Sequence, residues 1–379
     1  MTEGNGTEDN GEAAAASLVA KLAAVADSLE ARPPPRRVTE AGFYPNMIPA
    51  DYHKDPAPEP SLSAGVGITL ITKTPFHAMM QHPRISAQWR EDEAVEVEGY
   101  EARRALGTVA HELLLGRGQG IHVINETQDA KGNVIPNPTG YTHAHTKKIR
   151  DNVIALGSTP CLVHELEAAD YIVDSIQQHL AMTPGCDEFF KKGKAEVTAV
   201  WEEKHLGIWC RMLMDWWGPS EEVVLDLKTT RSGLGDEALA KKITNDNLDF
   251  RAAWYERGLT RLYPELAGRV RYVLVFVEQQ PPHWARVVRL GRHTIARGHK
   301  KVAHALGTYA RCLHTENWPG YPHEIVSLDA KIYGSADEWT IREETDDVVR
   351  QDILADPFVS IEADPNEERR SPFERGIGG

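Results

Sequence analysis

In the run Glu222-Val-Val-Leu-Asp226-Leu-Lys228-Thr-Thr230, an acid and an amine stand two residues apart at the end of an apolar stretch. Side chains alternate between the faces of a strand, so Val224, Asp226 and Lys228 point one way and Val223, Leu225 and Leu227 the other. Burying unpaired charge is costly, so a charged pair closing an apolar strand needs a partner. Asp215, in Arg211-Met-Leu-Met-Asp215, lies on the preceding strand of a hairpin and can sit across from Asp226. Two facing carboxylates repel unless a cation lies between them, and a divalent metal supplies that charge. Mg²⁺ on Asp215, Asp226 and the backbone carbonyl of Leu227 would bind a phosphate oxygen and a water, and would lower the pKa of that water. Lys228 would orient the water or neutralise charge developing on phosphorus. Taken alone, a D-x-K triplet is far more often a surface ion pair beside a turn. Glu196, at the start of the strand before, could add a carboxylate or stand solvated. His111, in Gly107-Thr-Val-Ala-His111-Glu, is a lone helix histidine, a position that core and surface residues also fill.

The elements that must hold these groups follow from periodicity. Helical spacing predicts helices over 100–115 and 164–180. Three β-type runs follow at 195–201, 207–216 and 222–229, then helices at 236–244 and 249–263. Strands at 271–278 and 284–290 form a hairpin around Pro281-Pro282, and a long helix covers 295–316. Residues 68–83 read as a strand edge followed by a short helix, and 129–146 as a polar loop. This order gives an α/β fold with a central mixed β-sheet flanked by helices.

The 379 residues carry a formal charge of −14, with 41% hydrophobic residues. Residues 1–60 hold 10 acids and 5 Lys/Arg, and 341–379 hold 11 and 5. The remaining 61–340 hold 35 acids and 32 bases. The acidity is thus mostly in the ends, and a near-neutral middle can still bind nucleic acid through a local basic lining. Residues 1–60 read as a poorly ordered N-terminal arm, 65–330 as the folded domain and 341–379 as an acidic, flexible tail. The tail suits either docking to a basic partner or simple solubilisation. No apolar run is long enough to span a membrane, and no secretory pattern opens the chain, so a cytoplasmic location is expected. Cys161, Cys186, Cys210 and Cys312 form no CxxC pair, which fits a reducing compartment and gives no zinc or disulfide framework.

A series of segments resembles the exodeoxyribonuclease VIII (RecE-type) branch of the PD-(D/E)XK nucleases, found in phages and prophages. They are Ile68-Thr-Leu-Ile-Thr-Lys-Thr-Pro-Phe-His77, Leu106-Gly-Thr-Val-Ala-His111, Ala195-Glu196-Val, Met214-Asp215, Asp226-Leu-Lys228-Thr-Thr and Trp318-Pro-Gly-Tyr-Pro322. The resemblance covers about 65–330 and implies a restriction-endonuclease-like core. His111 would then be a metal ligand and Glu196, Asp215, Asp226 and Lys228 the remaining site. The family's Gln-x-x-x-Tyr helix motif appears here as Arg251-Ala-Ala-Trp-Tyr255, so arginine stands where glutamine is usual. Arg251 could grip a phosphate bidentately, and Arg251 and Tyr255 are candidate DNA contacts. Arg103 and Arg104 are further candidates, or a solvated helix face.

The resemblance also implies the activity: exonuclease digestion of linear double-stranded DNA, 5′ to 3′, leaving 3′ overhangs for recombination. The partners implied are double-stranded DNA ends, a single-strand annealing protein and further copies of the chain in a ring, in a bacterial host's cytoplasm. Mg²⁺ is the expected cofactor, with Mn²⁺ also suited to a site containing histidine. Only Cys312 lies past the core, so no iron–sulfur cluster is expected. An endonuclease of the same superfamily and a non-cleaving DNA-binding adaptor remain as other readings.

Overall fold

A computed structural model describes residues 37–86, 101–218 and 222–325, with the backbone alone for 101–105. In chain order its elements are β1 (Gly42–Tyr44), α1 (Pro49–His53), β2 (Ser61–Ser63), α2 (Ala64–Thr72), α3 (Pro75–Gln81) and α4 (Glu101–Leu115). An inserted lobe follows, with β3 (Ile121–Ile124), β4 (Glu126–Gln128), β5 (Val134–Pro136), α5 (Ala144–Ala155) and β6 (Thr159–Leu162). Then come α6 (Val163–Met182), β7 (Lys194–Glu203), β8 (Ile208–Gly218) and β9 (Val223–Thr230). The chain continues through α7 (Asp236–Asn245), α8 (Leu248–Leu262), β10 (Arg271–Glu278), β11 (Ala285–Arg289) and α9 (Arg292–Thr315).

The main sheet has the order β1-β7-β8-β9-β10-β11, with β2 added beside β8. The strands β7, β8 and β9 meander antiparallel, β9 and β10 run parallel across the α7–α8 connection, and β11 returns antiparallel. Val223, Leu225 and Leu227 of β9 share a core with Val109, Ala110, Ile172 and Ile176 of α4 and α6. Val224, with Leu274 and Phe276 of β10, shares the opposite core with Phe250, Trp254, Val302 and Tyr309 of α8 and α9. Helices therefore cover both faces of a mixed sheet, the predicted α/β class. With both faces of β9 and β10 covered, the strands read as near-continuous apolar runs, and Asp226 stands out.

Three expectations change. Residues 37–60, taken as part of a disordered arm, are ordered against the sheet: β1 pairs with Thr198–Val200 of β7, and Met47 and Ala57 are fully buried. A buried polar cluster fixes this segment. Asp55 accepts from the Ser61 amide at 2.9 Å and lies 3.2 Å from Arg211 of β8, while the His82 ring reaches the Ser61 carbonyl at 3.0 Å. Residues 68–83 contain no strand edge; α2 is capped by the Ser63 hydroxyl and α3 begins at Pro75. The expected loop at 129–146 includes β5 and the first residues of α5. Residues 1–36 and the acidic tail at 341–379 lie outside the described residues. The first compact unit ends at Tyr321, and among the described residues no helix is long and apolar enough to cross a membrane.

Candidate active site

The site forms where β8 and β9 part. Their ladder runs Gly218↔Val223, Trp217↔Val224, Trp216↔Leu225 and then stops. The next pair in that register is Asp215 and Asp226. Beyond it β8 turns its edge to β2, through Trp209–Arg211, while β9 continues against β10. The two aspartates thus stand at the first unpaired rung, at the opening of the fork. An Asp215 carboxylate oxygen bridges the gap by accepting from the Leu227 amide at 3.2 Å.

On the other side of β8, a local twist brings in Glu196. Val197 and Met214 lie in the α8–α9 core, yet their neighbours two residues on, Ala195 and Trp216, lie in the α4–α6 core. Residues two apart on a strand normally share a face, so both strands change face at Glu196 and Asp215. Glu196 carries the backbone cost, with φ at +50°. Its Oε2 is buried and has no hydrogen-bond partner among the described residues.

Helix α4 brings His111 to the fork. A Cβ at Gly107 would meet Thr229 Oγ1 of β9 at 2.9 Å, so glycine lets the helix close on the strand. One turn later His111 Nε2 lies 3.3 Å from an Asp215 oxygen. Asp215, His111 and Glu196 interact, and Asp215 also feels Lys228. Burial pushes the imidazole toward neutrality, but Asp215 overrides it and raises its pKa. Asp215 itself is held well below the usual carboxylate range, burial being outweighed by His111 and Lys228.

Asp226 is only 2% exposed. Burial pushes its carboxyl up to about 6, Lys228 opposes the shift and Asp215 adds to it. The Lys228 ammonium donates to one Asp226 oxygen, and to the Leu227 carbonyl at 3.3 Å. The Tyr272 hydroxyl of β10 donates to the other Asp226 oxygen. Tyr272 has no part in the sequence reading, because a tyrosine in an apolar strand reads as core; the one available signal is that a buried hydroxyl needs an acceptor. Arg251 of α8 lies within electrostatic reach of Asp226, Asp215, Tyr255 and Tyr272. It faces the carboxylates from within the fold.

Tyr255 is not placed as a DNA contact. It is 5% exposed and its hydroxyl donates to the Leu213 carbonyl at 3.0 Å, tying α8 to β8. Arg103 and Arg104 fall in α4, with side chains outside the described residues. The fork opens into a groove of 790 Å³ lined by His111, Lys228, Thr229, Arg231, Lys242 and Gln279, among others. Gln279 holds its wall, donating to Thr229 Oγ1 at 3.0 Å and accepting from Arg231 at 3.1 Å. Arg231, Lys242 and Gln279 are absent from the sequence reading; only the topology brings them beside Lys228.

As placed, no three His, Cys, Asp or Glu side chains among the described residues converge as a metal-binding group. The donor chemistry still suits a divalent cation. Two carboxylates abut, one with its pKa raised by the other, and a third offers a buried oxygen without a partner.

Residues 112–331 match the family described as a PDDEXK-like domain of unknown function (DUF3799). The chain belongs to that family. The match spans the carboxylates, Lys228 and the whole of β7–β11, and begins one residue after His111. No curated protein matches the chain. Among solved structures, it is similar to a candidate exonuclease from Eubacterium rectale, at 11% identity and a TM-score of 0.44, over 72% of this chain and 91% of that one. It is also similar to a phage-related exonuclease from Haemophilus somnus 129PT, at 13% identity and a TM-score of 0.25, over 40% of this chain and 73% of that one. At these scores neither likeness bears on activity. The PDDEXK-like assignment agrees with the sequence resemblance and with the mixed sheet, and proteins of this kind generally use divalent metals.

Proposed function

We propose that this chain is a metal-dependent deoxyribonuclease. The observation that carries the reading is the Asp215–Asp226 pair at the first unpaired rung beyond the β8–β9 ladder, with Lys228 beside it at the mouth of the groove. Asp215, Asp226 and the Leu227 carbonyl would hold Mg²⁺ or Mn²⁺, with His111 and Glu196 completing the set. When bound, the cation would acidify a water and stabilise charge on the phosphate.

The protein's own groups do the rest. Lys228 lines the groove, where its ammonium can orient the attacking water or meet charge on phosphorus. Tyr272 and Lys228 hold Asp226 from both oxygens, which fixes its orientation. His111 is kept beside Asp215, whose charge raises the imidazole's pKa against the pull of burial. Arg231 in the groove wall suits a phosphate of a strand running away from the cut, while Lys242 beside it is paired with Asp246 at 2.9 Å.

The finer reading is an exonuclease acting on ends of linear double-stranded DNA, 5′ to 3′, to leave 3′ overhangs. It rests on the family resemblance in the sequence, as do a ring of identical subunits and a single-strand annealing partner. Linear duplexes labelled at either end, beside closed circles, test it. Loss of the 5′ label first with circles intact is the expected result. Cutting of circles would replace the exonuclease reading with an endonuclease.

A further inference from the structure

Helix α9 carries five Lys/Arg, four histidines and no acid in its 24 residues. The chain as a whole has 56 acids to 42 Lys/Arg, so a stretch of that length would ordinarily hold three or four acids. The bases are also sorted by side. Val302, Ala305, Leu306 and Tyr309 bury one face of the helix in the core. His293, Lys300, His304 and Arg311 stand exposed on the other. Steps of seven, four and seven residues keep these four in one row along the helix. The row is about 27 Å long at roughly 1.5 Å per residue.

Two acids of α8 reach this helix, and both are taken by bases outside the row. Buried Asp249 accepts from Arg297 at 2.6 Å and from Lys301 at 3.0 Å, and Glu256 lies 3.1 Å from His299. Among the described residues, no carboxylate pairs with Lys300 or Arg311. Unpaired bases aligned along one helix are the electrostatic footprint of a polyanion. The exposed face carries no Phe, Tyr or Trp. Single strands are held by stacking their bases on such rings, whereas a duplex presents its phosphates. The ridge also adjoins the groove: Lys301 donates to Asn247 Oδ1 at 2.8 Å, and the preceding residue, Asp246, lines the groove.

We propose that the exposed row of α9 binds the phosphate backbone of double-stranded DNA, holding the duplex beyond the groove without reading its sequence. The choice of DNA as the polyanion rests on the deoxyribonuclease reading, but the contact itself needs neither metal nor cleavage.

Fluorescence anisotropy of a labelled blunt duplex with the full chain in EDTA, over about 50 to 200 mM salt, tests it. Lys300→Gln with Arg311→Gln should weaken binding at least tenfold at about 100 mM salt. The slope of log affinity against log salt should shrink by about 1.8, since each phosphate contact contributes about 0.9. Lys131→Gln with Lys191→Gln removes the same charge from exposed sites elsewhere and should leave affinity and slope in place. Both variants should melt as wild type, since all four side chains are exposed. No duplex binding by the wild type, no loss in the α9 variant, or equal loss in both variants would each overturn the proposal. Polyglutamate bound through the same two residues, with duplex unbound, would replace DNA by an acidic protein partner. Duplex bound through α9 but left uncut in Mg²⁺ and Mn²⁺ would sink the nuclease reading alone. Duplex cut by an α9 variant that binds as wild type would sink this proposal alone.

Discussion

Asp226→Asn should make the metal-free protein more stable at neutral pH. A buried acid whose folded pKa is raised is favoured in its protonated form. Its contribution to stability is complete below the unfolded value and is lost as pH rises through the folded one. For Asp226 those values are 3.8 and about 6. The difference corresponds to about 3 kcal/mol of destabilisation above pH 6. Asparagine cannot ionise and removes that cost, but it weakens the bonds from Lys228 and Tyr272 by about 1 kcal/mol each. The net gain at pH 7.5 is about 1 kcal/mol, a rise of roughly 2 °C in melting temperature for a domain of this size. Asp215 stays ionised across this window, so it adds no slope. His111, with its raised pKa, loses stability with rising pH in both proteins. Thermal melts of both proteins in EDTA at pH 5.0 and 7.5 provide the assay. At pH 5.0 the wild-type carboxyl is protonated, so the variant's advantage should vanish or reverse. Adding Mn²⁺ at pH 7.5 should raise the wild-type melting temperature and leave the variant's in place. A variant less stable than wild type at pH 7.5, or an advantage that persists at pH 5.0, would refute the view that the fold holds Asp226 at a cost.

Three more outcomes follow from particular contacts. Tyr272→Phe deletes a donor to Asp226, and a hydrogen bond to a charged group contributes about 1.5–3 kcal/mol; DNA cleavage should fall about 10- to 100-fold, with DNA affinity in Ca²⁺ unchanged by filter binding. Gly298→Ala puts a Cβ 2.0 Å from the Asp249 carbonyl oxygen where α8 and α9 cross; forcing the helices apart should cost about 2–3 kcal/mol, read by urea unfolding. His82 is fully buried, and burial and Arg211 lower its pKa to about 4. Its ring nitrogen Nδ1 accepts from the Arg84 and Ile85 amides at 3.2 Å, which requires the neutral form. The stability this gives is present above pH 6.5 and lost as pH falls toward 4, about 3 kcal/mol in all. His82→Gln should flatten urea-unfolding stability against pH over that range.

The parts of the fold legible in the sequence are those with enough residues to show a period. The helices α4, α6, α8 and α9 and the strands β7 to β11 fall within a few residues of their predicted bounds. β1 and β2 have three residues each and no period of their own; they form because β7 and β8 offer open edges. In the site, acid, lysine and alternation sufficed to place Asp226 and Lys228 on one face, and hairpin register set Asp215 opposite. The left-handed backbone at Glu196 gave no sign, since glutamate rarely adopts it and nothing local demands it. Tyr272 was hidden for the opposite reason: its residue type suits an apolar strand so well that only the structure shows its hydroxyl on Asp226. Tyr255 misled because its motif position suggested a DNA contact, while its hydroxyl is spent on the β8 backbone.

The most direct test of the nuclease reading is hydrolysis of linear duplex DNA by the purified protein in Mg²⁺ or Mn²⁺, beside EDTA and Lys228→Ala. Cleavage that needs the metal, and that drops at least 100-fold in Lys228→Ala while the protein still melts as wild type, is the expected result. Duplex left intact by the wild-type protein in both metals, or cut equally by Lys228→Ala, would contradict the assignment of a nuclease centre to Asp215, Asp226 and Lys228.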